Sequence, residues 1–373
     1  MNVHDSEEIK YYLEALGYKE CDALEEADIV VLNTCAIREN AKDKVFGYLG
    51  RCKHLKKIKK DLIIVIAGCL MQKPNEIEEI QNKHKYIDII IGTHNLNELP
   101  DLIKKANESQ KQDIEVYSNS DIIFENVKYN RDSKITAWIN IIYGCDKFCT
   151  YCIVPFTRGR ERSRKMEDIL KEVQDLHDKG YMEVTLLGQN VNAYGKDLDL
   201  GYDFATLLEN VAKIGIPRIR FVTSHPWNFT DKMIDVIAKY DNIMPYVHLP
   251  LQSGSDDVLR KMNRRYTSEE YKTLFDDIKR KVKNVAITTD IIVGFPNETD
   301  EDFQKTLDIV NYCQFDGAYT FIFSPREGTA AAKMQDDISL EVKEKRLKQL
   351  NELINKYSLE SNKKMLGKKV DVL

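Results

Sequence analysis

The sequence predicts an α/β fold in which a parallel-sheet domain is followed by an open, partial barrel of six strand–helix units. The chain has 373 residues, which is too long for one ordinary domain. Short apolar segments alternate with helical segments, an order typical of parallel sheets covered by helices. After a polar stretch the alternation yields six strand–helix units, whereas a complete barrel has eight.

The first domain begins with a predicted helix over residues 5–17, with Ser6 as its N-cap and Gly17 at its end. Buried strands are predicted at residues 29–32, 62–67 and 87–91. No strand precedes the first helix, although sheets of this kind normally begin with one. We therefore expect that the beginning of this domain is missing.

The second domain is expected to follow residues 105–133, which are polar and irregular. Its six predicted strands are at 136–143, 183–187, 218–223, 245–249, 285–293 and 317–323. Its helices include 164–179, 230–240, 267–283, 300–313 and a last helix at 340–362. The tail from Gly367 to Leu373 resembles the first strand of a further domain. The predicted division is 1–125, 126–365 and 366–373.

Composition and charge narrow the class of protein. Hydrophobic residues make up 43% and charged residues 31% of the chain, as in soluble proteins. No apolar run approaches 18 residues, and the first ten residues are polar, so we expect neither a membrane helix nor a signal peptide. Eight cysteines in such a chain indicate the reducing cytoplasm and metal ligation. The net charge of −5 means that nucleic-acid contacts require local basic patches.

The motif most informative about chemistry is Cys145, Cys149 and Cys152, a CxxxCxxC spacing directly after the first barrel strand. Three thiolates hold three irons of a 4Fe-4S cluster and leave the fourth iron open for a ligand. A structural zinc site is the alternative. Tetrahedral zinc takes four ligands, and no fourth Cys or His lies within a dozen residues of Cys152.

Cys35 and Cys69 form a second candidate site. Each follows a predicted strand, and the carboxyl ends of parallel strands meet at one edge of a sheet. A second metal site is one interpretation, and two unrelated buried cysteines are the other. The remaining Cys21, Cys52 and Cys313 lack motif partners, and we interpret them as structural.

The CxxxCxxC motif in this position resembles the radical S-adenosylmethionine superfamily. The segments Met1–Glu7, Asn33–Arg38, Gly68–Cys69, Thr150–Arg164, Leu186–Asn192, Val247–Ser255 and Ile291–Pro296 look like those of its methylthiotransferases. The resemblance covers essentially the whole chain and is strongest to the MiaB type, the tRNA 2-methylthio-N6-isopentenyladenosine synthases. Methylthiotransferases for threonylcarbamoyladenosine in tRNA or for a ribosomal-protein aspartate stay open as alternatives, as does a non-catalytic iron–sulfur or zinc sensor.

The resemblance implies a radical SAM partial (β/α)6 barrel whose 4Fe-4S cluster is held by Cys145, Cys149 and Cys152 and binds S-adenosylmethionine. Reductive cleavage of that cofactor yields a radical able to attack carbon 2 of an adenine at tRNA position 37. The implied cofactor contacts, all at or near strand ends, are Tyr151, Gly188, Gln189, Asn190, Ser224, Gln252 and Phe323. The alternatives are that Gly188 only relieves crowding and that Phe323 belongs to the core.

Two departures from the family pattern bear on activity. The family's auxiliary 4Fe-4S cluster uses Cys35, Cys69 and a third cysteine in a Gly-Cys-Gln segment that this chain does not contain. The RNA-binding TRAM β-barrel, expected near Gly367, is also missing. We therefore expect the 373-residue chain as it stands to hold one cluster stably and to cleave S-adenosylmethionine without transferring sulfur. Asn297 also stands where the family generally has glycine.

The resemblance also implies partners. These are a tRNA anticodon loop, an electron donor such as flavodoxin or ferredoxin, and a sulfur donor or iron–sulfur carrier. The protein is expected to be a cytoplasmic monomer without a membrane partner. A basic run of Arg158, Arg160, Arg162 and Arg164 beside the cysteine loop is expected to contact RNA phosphates. A solvated loop is the alternative. His225 and His248 lie at strand ends. We interpret them as core histidines, and a place in the lining of the pocket is the alternative.

Overall fold

The structure, a computed structural model, describes residues 1–36, 39–108, 112–117 and 129–373, and only the backbone of residues 39–43. The chain divides into two compact units, and the predicted boundary between residues 125 and 126 lies outside the described residues. The first unit comprises Met1–Lys134, Tyr143–Cys145 and Ile153–Arg162, and the second comprises Ile135–Ile142, Asp146–Cys152 and Ser163–Leu373. The chain around the cysteine motif thus alternates between the units.

The first unit contains a parallel sheet in the order β1-β2-β3-β4. Its strands are β1 (Ile29–Thr34), β2 (Ile63–Gly68), β3 (Ile89–Ile91) and β4 (Asp113–Glu115). Its helices are α1 (Asn2–Ala15), α2 (Glu39–Ile58), α3 (Pro74–Lys83), α4 (Leu99–Glu108) and α5 (Val154–Arg158). Side chains of β2 alternate between two apolar clusters, one on each face of the sheet, so the whole strand is buried.

Two predictions for this unit are wrong. Helix α1 begins at Asn2, so Ser6 lies inside the helix and is not its N-cap. The Ser6 hydroxyl donates to the carbonyl of Asn2, one turn earlier (3.1 Å). The side-chain amide of Asn33 bonds both Asn2 O and Ser6 Oγ at 2.9 Å, which holds this first turn against β1. The stretch predicted as irregular from residue 105 contains the end of α4 and the strand β4. This short, acidic edge strand carries no apolar alternation.

The second unit is built on two three-stranded parallel sheets, in the orders β5-β8-β9 and β10-β11-β12. Its strands are β5 (Thr136–Asn140), β8 (Glu183–Leu187), β9 (Arg218–Phe221), β10 (Tyr246–His248), β11 (Ala286–Val293) and β12 (Gly317–Ile322). The short strands β6 (Ile142–Tyr143) and β7 (Arg162–Ser163) pair separately, at the points where the chain passes from one unit to the other. A parallel bridge pairs Ile219 of β9 with Ile243, which lies shortly before β10 in the chain. The result is the predicted partial barrel of six parallel strands.

Helices follow the barrel strands and cover one apolar core. They are α6 (Met166–Asp178), α7 (Phe204–Ile214), α8 (Asp231–Lys239), α9 (Asp256–Lys261), α10 (Ser268–Lys281), α11 (Asp300–Cys313) and α12 (Leu340–Lys363). Residues 366–373 are not part of any strand, so the strand predicted for the tail is wrong. A strand requires a neighbour for its backbone hydrogen bonds. Across the described residues, no helix combines the length and apolarity that crossing a bilayer requires.

Candidate functional site

The second unit holds the cysteine loop from Asp146 to Cys152 through backbone hydrogen bonds. Cys149 is buried and Cys152 is half-buried, and the Cys152 amide donates to the Cys149 carbonyl (2.9 Å). Thr150 is held from both sides. Its amide donates to Met262 O (3.1 Å), and its carbonyl accepts from the Ala331 amide (2.8 Å). The loop conformation is therefore fixed by chain segments more than 100 residues away in sequence.

Arg264 is a site residue that the sequence analysis missed. Its buried guanidinium donates through Nη1 to Cys149 Sγ (3.5 Å), through Nη2 to Pro250 O (3.1 Å) and through Nε to Tyr266 OH (3.1 Å). Burial lowers the pKa of Arg264, but Tyr266, Tyr151 and Cys149 raise it well above its usual value. The guanidinium therefore places a fixed positive charge next to the sulfur of Cys149. Arg264 belongs to no spaced motif, so only its three-dimensional contacts identify it.

Tyr151 and Phe323 border one small apolar cluster. Phe323 is 5% exposed and its ring meets that of Phe295 edge-to-face, with centroids 5.1 Å apart. Tyr151 is half-buried and packs against the same cluster. Burial raises the pKa of the Tyr151 phenol well above its usual value, so it stays neutral. The structure thus gives Phe323 a packing role, and its cofactor contact stays a proposal.

Gly188, Gln189 and Asn190 follow β8, as predicted. A Cβ on Gly188 would lie 2.4 Å from Ile142 Cγ2, so this position excludes any larger residue. The alternative that Gly188 relieves crowding therefore has direct support. Asn190 is buried, and its Nδ2 donates to Asn228 Oδ1 (3.3 Å) in the loop after β9.

The loops after β8, β9 and β10 are tied to one another. Asn192 after β8 bonds His225 after β9 twice, through its amide nitrogen to His225 O and its amide oxygen to His225 N, both at 2.9 Å. The hydroxyl of Ser224 donates to the His248 carbonyl at the end of β10. Ser224 and Gln252 are both buried. Five of the predicted cofactor residues, Gly188, Gln189, Asn190, Ser224 and Gln252, therefore lie in loops at the carboxyl edge of the barrel, where parallel-barrel sites form.

Two of these loop residues have left-handed backbones. Thr223 has φ of +67° and Gln252 has φ of +68°. A β-branched residue such as threonine strongly disfavours this conformation, and strain of this kind concentrates at functional sites. Two backbone hydrogen bonds to β11 hold Gln252 in place. Its backbone amide donates to Asp290 O (2.8 Å), and its backbone carbonyl accepts from the Ile292 amide (3.0 Å).

His225 and His248 differ in how many of their ring nitrogens have a hydrogen-bond or ion-pair partner. His248 contacts Thr288 Oγ1 through Nδ1 (3.0 Å) and Asp290 through Nε2 (3.3 Å). His225 is 5% exposed, and within the described residues its Nε2 has no hydrogen-bond partner. Burial, with nearby Arg264 and other cations, lowers the pKa of His225 to about 2, so the ring is neutral. A buried nitrogen without a partner is an atom that a bound group would satisfy.

The first unit brings Cys35 and Cys69 to one edge of its sheet. Thr34 and Gly68, the last residues of β1 and β2, pair in register, and each cysteine comes directly after. Gly68 has φ of +97°, and a Cβ there would lie 2.5 Å from Thr34 O, so glycine is required for this approach. Burial raises the pKa of the Cys69 thiol, Arg158 lowers it, and Cys35 is close enough to raise it further.

The structure corrects the predicted role of Arg158 and Arg164. Arg158 is 6% exposed, its Nε donates to Cys69 Sγ (3.0 Å), and its Nη2 bonds Asp5 Oδ2 (2.5 Å) and Asn2 Oδ1 (3.2 Å). Arg164 is 5% exposed and donates to Asn140 O (2.9 Å) and Glu172 (2.8 Å). Both guanidinium groups are buried and hydrogen-bonded within the protein, so the prediction that they contact RNA phosphates is wrong.

For Arg160 and Arg162, the other two arginines of the run, contact with RNA phosphates stays a prediction. Arg160 is exposed and Arg162 is half-buried. Arg162 donates to the Arg158 carbonyl (3.2 Å), and its guanidinium lies 6.0 Å from the Tyr143 ring. Cys145 lies in the same unit, half-buried, and its amide donates to Gly159 O (3.1 Å).

In the part of the chain that the structure describes, no three His, Cys, Asp or Glu side chains are arranged to hold a metal ion. The donor chemistry nonetheless fits thiolate-bound iron. Three cysteines lie within eight residues, and Cys149 and Cys69 each accept a hydrogen bond from a buried arginine. Iron–sulfur clusters take cysteine thiolates and are tuned by such hydrogen bonds.

Comparisons with known proteins agree with this arrangement. Residues 139–310 match the family described as the Radical SAM superfamily, and residues 1–92 match Uncharacterized protein family UPF0004. The chain is 52% identical over 374 residues to a tRNA-2-methylthio-N(6)-dimethylallyladenosine synthase of Staphylococcus epidermidis, covering 100% of this chain and 73% of that protein. The enzyme of the same name from Oceanobacillus iheyensis is 54% identical, with 100% and 72% covered.

Solved structures share the fold at low sequence identity. The radical S-adenosylmethionine methyltransferase TsrM from Kitasatospora setae superposes with a TM-score of 0.62 at 14% identity, over 88% of this chain and 73% of that one. The cobalamin-dependent S-adenosylmethionine radical enzyme OxsB gives a TM-score of 0.55 at 14% identity, over 95% and 53%. At these identities the likeness concerns the fold alone.

Proposed function

Because the chain belongs to the family of tRNA-2-methylthio-N(6)-dimethylallyladenosine synthases, we propose that it adds a methylthio group to carbon 2 of N6-isopentenyladenosine at tRNA position 37. The observation that carries this is identity above 50% to such enzymes over the whole chain. The same relation favours isopentenyladenosine over threonylcarbamoyladenosine or a ribosomal-protein aspartate as the substrate.

The reaction needs a cofactor because carbon 2 of adenine carries an unactivated C–H bond that no side-chain base removes at neutral pH. A 4Fe-4S cluster on Cys145, Cys149 and Cys152, with S-adenosylmethionine, supplies radical chemistry for such a bond. Arg264 donates a hydrogen bond to the Cys149 sulfur, and the neutral Tyr151 offers an apolar face beside it. The apolar cluster around Phe323 excludes water from this side of the loop.

Loop residues at the carboxyl edge of the barrel position the S-adenosylmethionine. Gly188, Gln189, Asn190, Ser224 and Gln252 belong to loops whose cross-bonds fix their backbones. Fixed dipoles of this kind orient a polar ligand without reorganisation. The unpartnered Nε2 of His225 is a further atom able to bond it.

The remaining assignments belong to the same proposal. Cys35 and Cys69 supply two ligands of an auxiliary 4Fe-4S cluster that serves sulfur transfer, with Arg158 holding Cys69. Arg160 and Arg162 contact phosphates of the anticodon loop. An electron donor of the flavodoxin or ferredoxin class and a sulfur donor or iron–sulfur carrier complete the reaction, with the protein acting as a cytoplasmic monomer.

The direct test is an anaerobic assay of the iron-reconstituted protein, extended at its N-terminus by the Gly-Cys-Gln segment that supplies the third auxiliary cysteine, with isopentenylated tRNA, S-adenosylmethionine, dithionite and sulfide. The tRNA is then digested to nucleosides and examined by mass spectrometry. We expect the 2-methylthio nucleoside from this tRNA and none from tRNA lacking the isopentenyl group. Cys149→Ala is the matched control and should form no product.

Parallel arms with threonylcarbamoylated tRNA and with ribosomal protein decide the substrate. A product in one of these arms alone would replace the isopentenyl assignment. Absence of product in every arm, from protein with a full complement of iron, would contradict the function itself.

A further inference from the structure

Trp227 forms an exposed aromatic surface in the second unit. Its side chain is 48% exposed in the short helical turn Pro226–Asn228 after β9. Two cations lie at its ring, with Lys147 Nζ 4.9 Å and Arg265 Cζ 5.2 Å from the centroid. Both distances are within cation–π range. Phe148, also exposed at 41%, follows Lys147 in the chain.

Asn263 holds the chain segments that carry these cations. Its Nδ2 donates to Phe148 O (3.1 Å), and its Oδ1 accepts from Arg265 Nε (3.4 Å). Phe148, Asn263 and Arg265 all have left-handed backbones, with φ of +47°, +58° and +54°. Such conformations cost free energy and persist only where surrounding contacts impose them. The placement of both cations beside Trp227 is therefore fixed by the fold.

The charge of this surface is uncompensated. Among the described residues, no carboxylate forms an ion pair with Lys147 or Arg265. Lys147 and Lys196 both act on the nearby His225 and lower its pKa, which reflects a locally positive potential. Another exposed aromatic–cation pair differs in this respect. Lys272 lies 5.4 Å from the Tyr312 ring, but it pairs with Glu269, and the Tyr312 hydroxyl bonds Asp276.

We propose that Trp227, Lys147 and Arg265 form a stacking platform for an unpaired base of the tRNA anticodon loop, with the two cations on its flanking phosphates. Single-stranded RNA is recognised by bases stacked on aromatic rings beside basic groups. Lys147 lies between Cys145 and Cys149 in the chain, so RNA on this platform contacts the cysteine loop itself. The proposal rests on the proposed function and names residues that receive its substrate.

The chain's two tryptophans permit a direct spectroscopic test. In the Trp138→Phe variant, Trp227 is the single emitter, and stacking of a base on its ring should quench its fluorescence. The probe is an isopentenylated anticodon stem–loop RNA, and the control is a blunt duplex of equal length without unpaired bases. We expect strong quenching by the stem–loop and little by the duplex. In Trp227→Phe, the emission of Trp138 should stay unchanged by either RNA.

Affinity for the same stem–loop tests the energetic role. Trp227→Ala should weaken binding roughly 5- to 100-fold, and Trp227→Tyr should restore much of it, because one aromatic–base stack is lost and regained. Lys147→Ala and Arg265→Ala should each weaken binding and reduce the slope of log affinity against log salt by about one. The matched controls Tyr312→Ala and Lys272→Ala should bind like the unaltered chain.

The outcomes separate this platform from the enzyme's function. If the unaltered chain binds the stem–loop and Trp227→Ala binds it equally well, the platform is refuted and the function stands. Equal quenching by the duplex would refute base stacking. If the unaltered chain neither binds the stem–loop nor forms product, both proposals fall. Thermal melts by circular dichroism check that each variant folds. If Trp227→Ala is unstable, the binding of Trp227→Tyr and the fluorescence titration decide whether a base stacks on Trp227.

Discussion

At the scale of single residues, Arg158 joins three stretches of the chain through one buried guanidinium. It bonds Asn2 and Asp5 of α1 and Cys69 after β2. Asp5 is 3% exposed, so the ion pair is fully desolvated. Removing one partner of such a pair leaves the other charge buried without compensation.

We therefore expect Arg158→Gln to lower the free energy of unfolding of the first unit by about 3–5 kcal/mol. Urea unfolding followed by circular dichroism measures this. The neighbouring Arg160→Gln, at an exposed position, should change it by less than about 0.5 kcal/mol. Asp5→Asn combined with Arg158→Gln should lose less than the sum of the single changes. Strict additivity would show that the pair is not coupled.

The cysteines outside the motifs are not equivalent. Cys21 is exposed, which corrects its interpretation as structural, whereas Cys52 and Cys313 are buried. Burial raises the pKa of the Cys52 thiol, and it raises the pKa of the Cys313 thiol to about 12. Only the thiolate form of cysteine reacts. Under native conditions iodoacetamide should modify Cys21 and leave the other two unmodified, as read by peptide mass mapping. Equal labelling in urea is the control, and native labelling of Cys313 would contradict the burial.

At the scale of elements, helix α1 carries an acid with an unusual titration. Burial and the nearby Asp5 raise the pKa of Glu8 from its ordinary value of 4.5 to about 7. Between these two pH values the folded chain binds more protons than the unfolded chain. The contribution of Glu8 to stability therefore falls as the pH rises from about 4.5 to about 7.

Glu8→Gln should remove this pH dependence and stabilise the chain above pH 7 by at most about 3 kcal/mol. Urea midpoints measured between pH 4.5 and pH 8 test it. Glu25→Gln, at an exposed position, should leave the slope unchanged. A slope that survives in Glu8→Gln would assign the titration to another group.

Helix α12 is fastened to the barrel by Arg346, which is 6% exposed. Its guanidinium bonds Glu298 Oε1 (2.8 Å) and Asp300 Oδ1 (2.7 Å). Arg346→Ala leaves the buried Glu298 carboxylate without its cationic partner. It should therefore lower the free energy of unfolding, measured with urea, by about 3–5 kcal/mol. The exposed Lys345→Ala is the control, and Glu298→Gln should partly rescue Arg346→Ala. No rescue would show that lost packing, and not the stranded charge, causes the effect.

Apolar periodicity was sufficient to predict the six barrel strands and the helix that became α12, because both are buried on a regular face. It failed at β4, whose three residues include two acids and which is defined by its pairing with β3. Serine is a residue type common at helix N-caps, but helix α1 begins before Ser6, at Asn2. The side chain of Asn33 in β1 bonds this first turn, a contact that the local sequence does not reveal. Arg264 and Trp227 lie outside any motif, since their roles depend on neighbours distant in sequence.

At the scale of the whole molecule, the proposed cluster sites draw on separate sets of cysteines. Replacing Cys145, Cys149 and Cys152 together by alanine should remove about four irons per chain after anaerobic reconstitution and abolish 5′-deoxyadenosine formation. Iron analysis and chromatography measure the two quantities. Cys21→Ala, at an exposed thiol, is the matched control and should change neither. Unaltered iron in the triple variant would exclude these three cysteines as ligands.

The first unit is assembled from segments that leave the ribosome at different times. The four described strands of its sheet lie before residue 134, yet Ile153–Arg162 belongs to the same unit and brings Arg158. A nascent chain halted before that point exposes an unmatched carboxylate at Asp5 and an unguarded thiol at Cys69. The first unit therefore reaches its final set of contacts only after α5 has been synthesised.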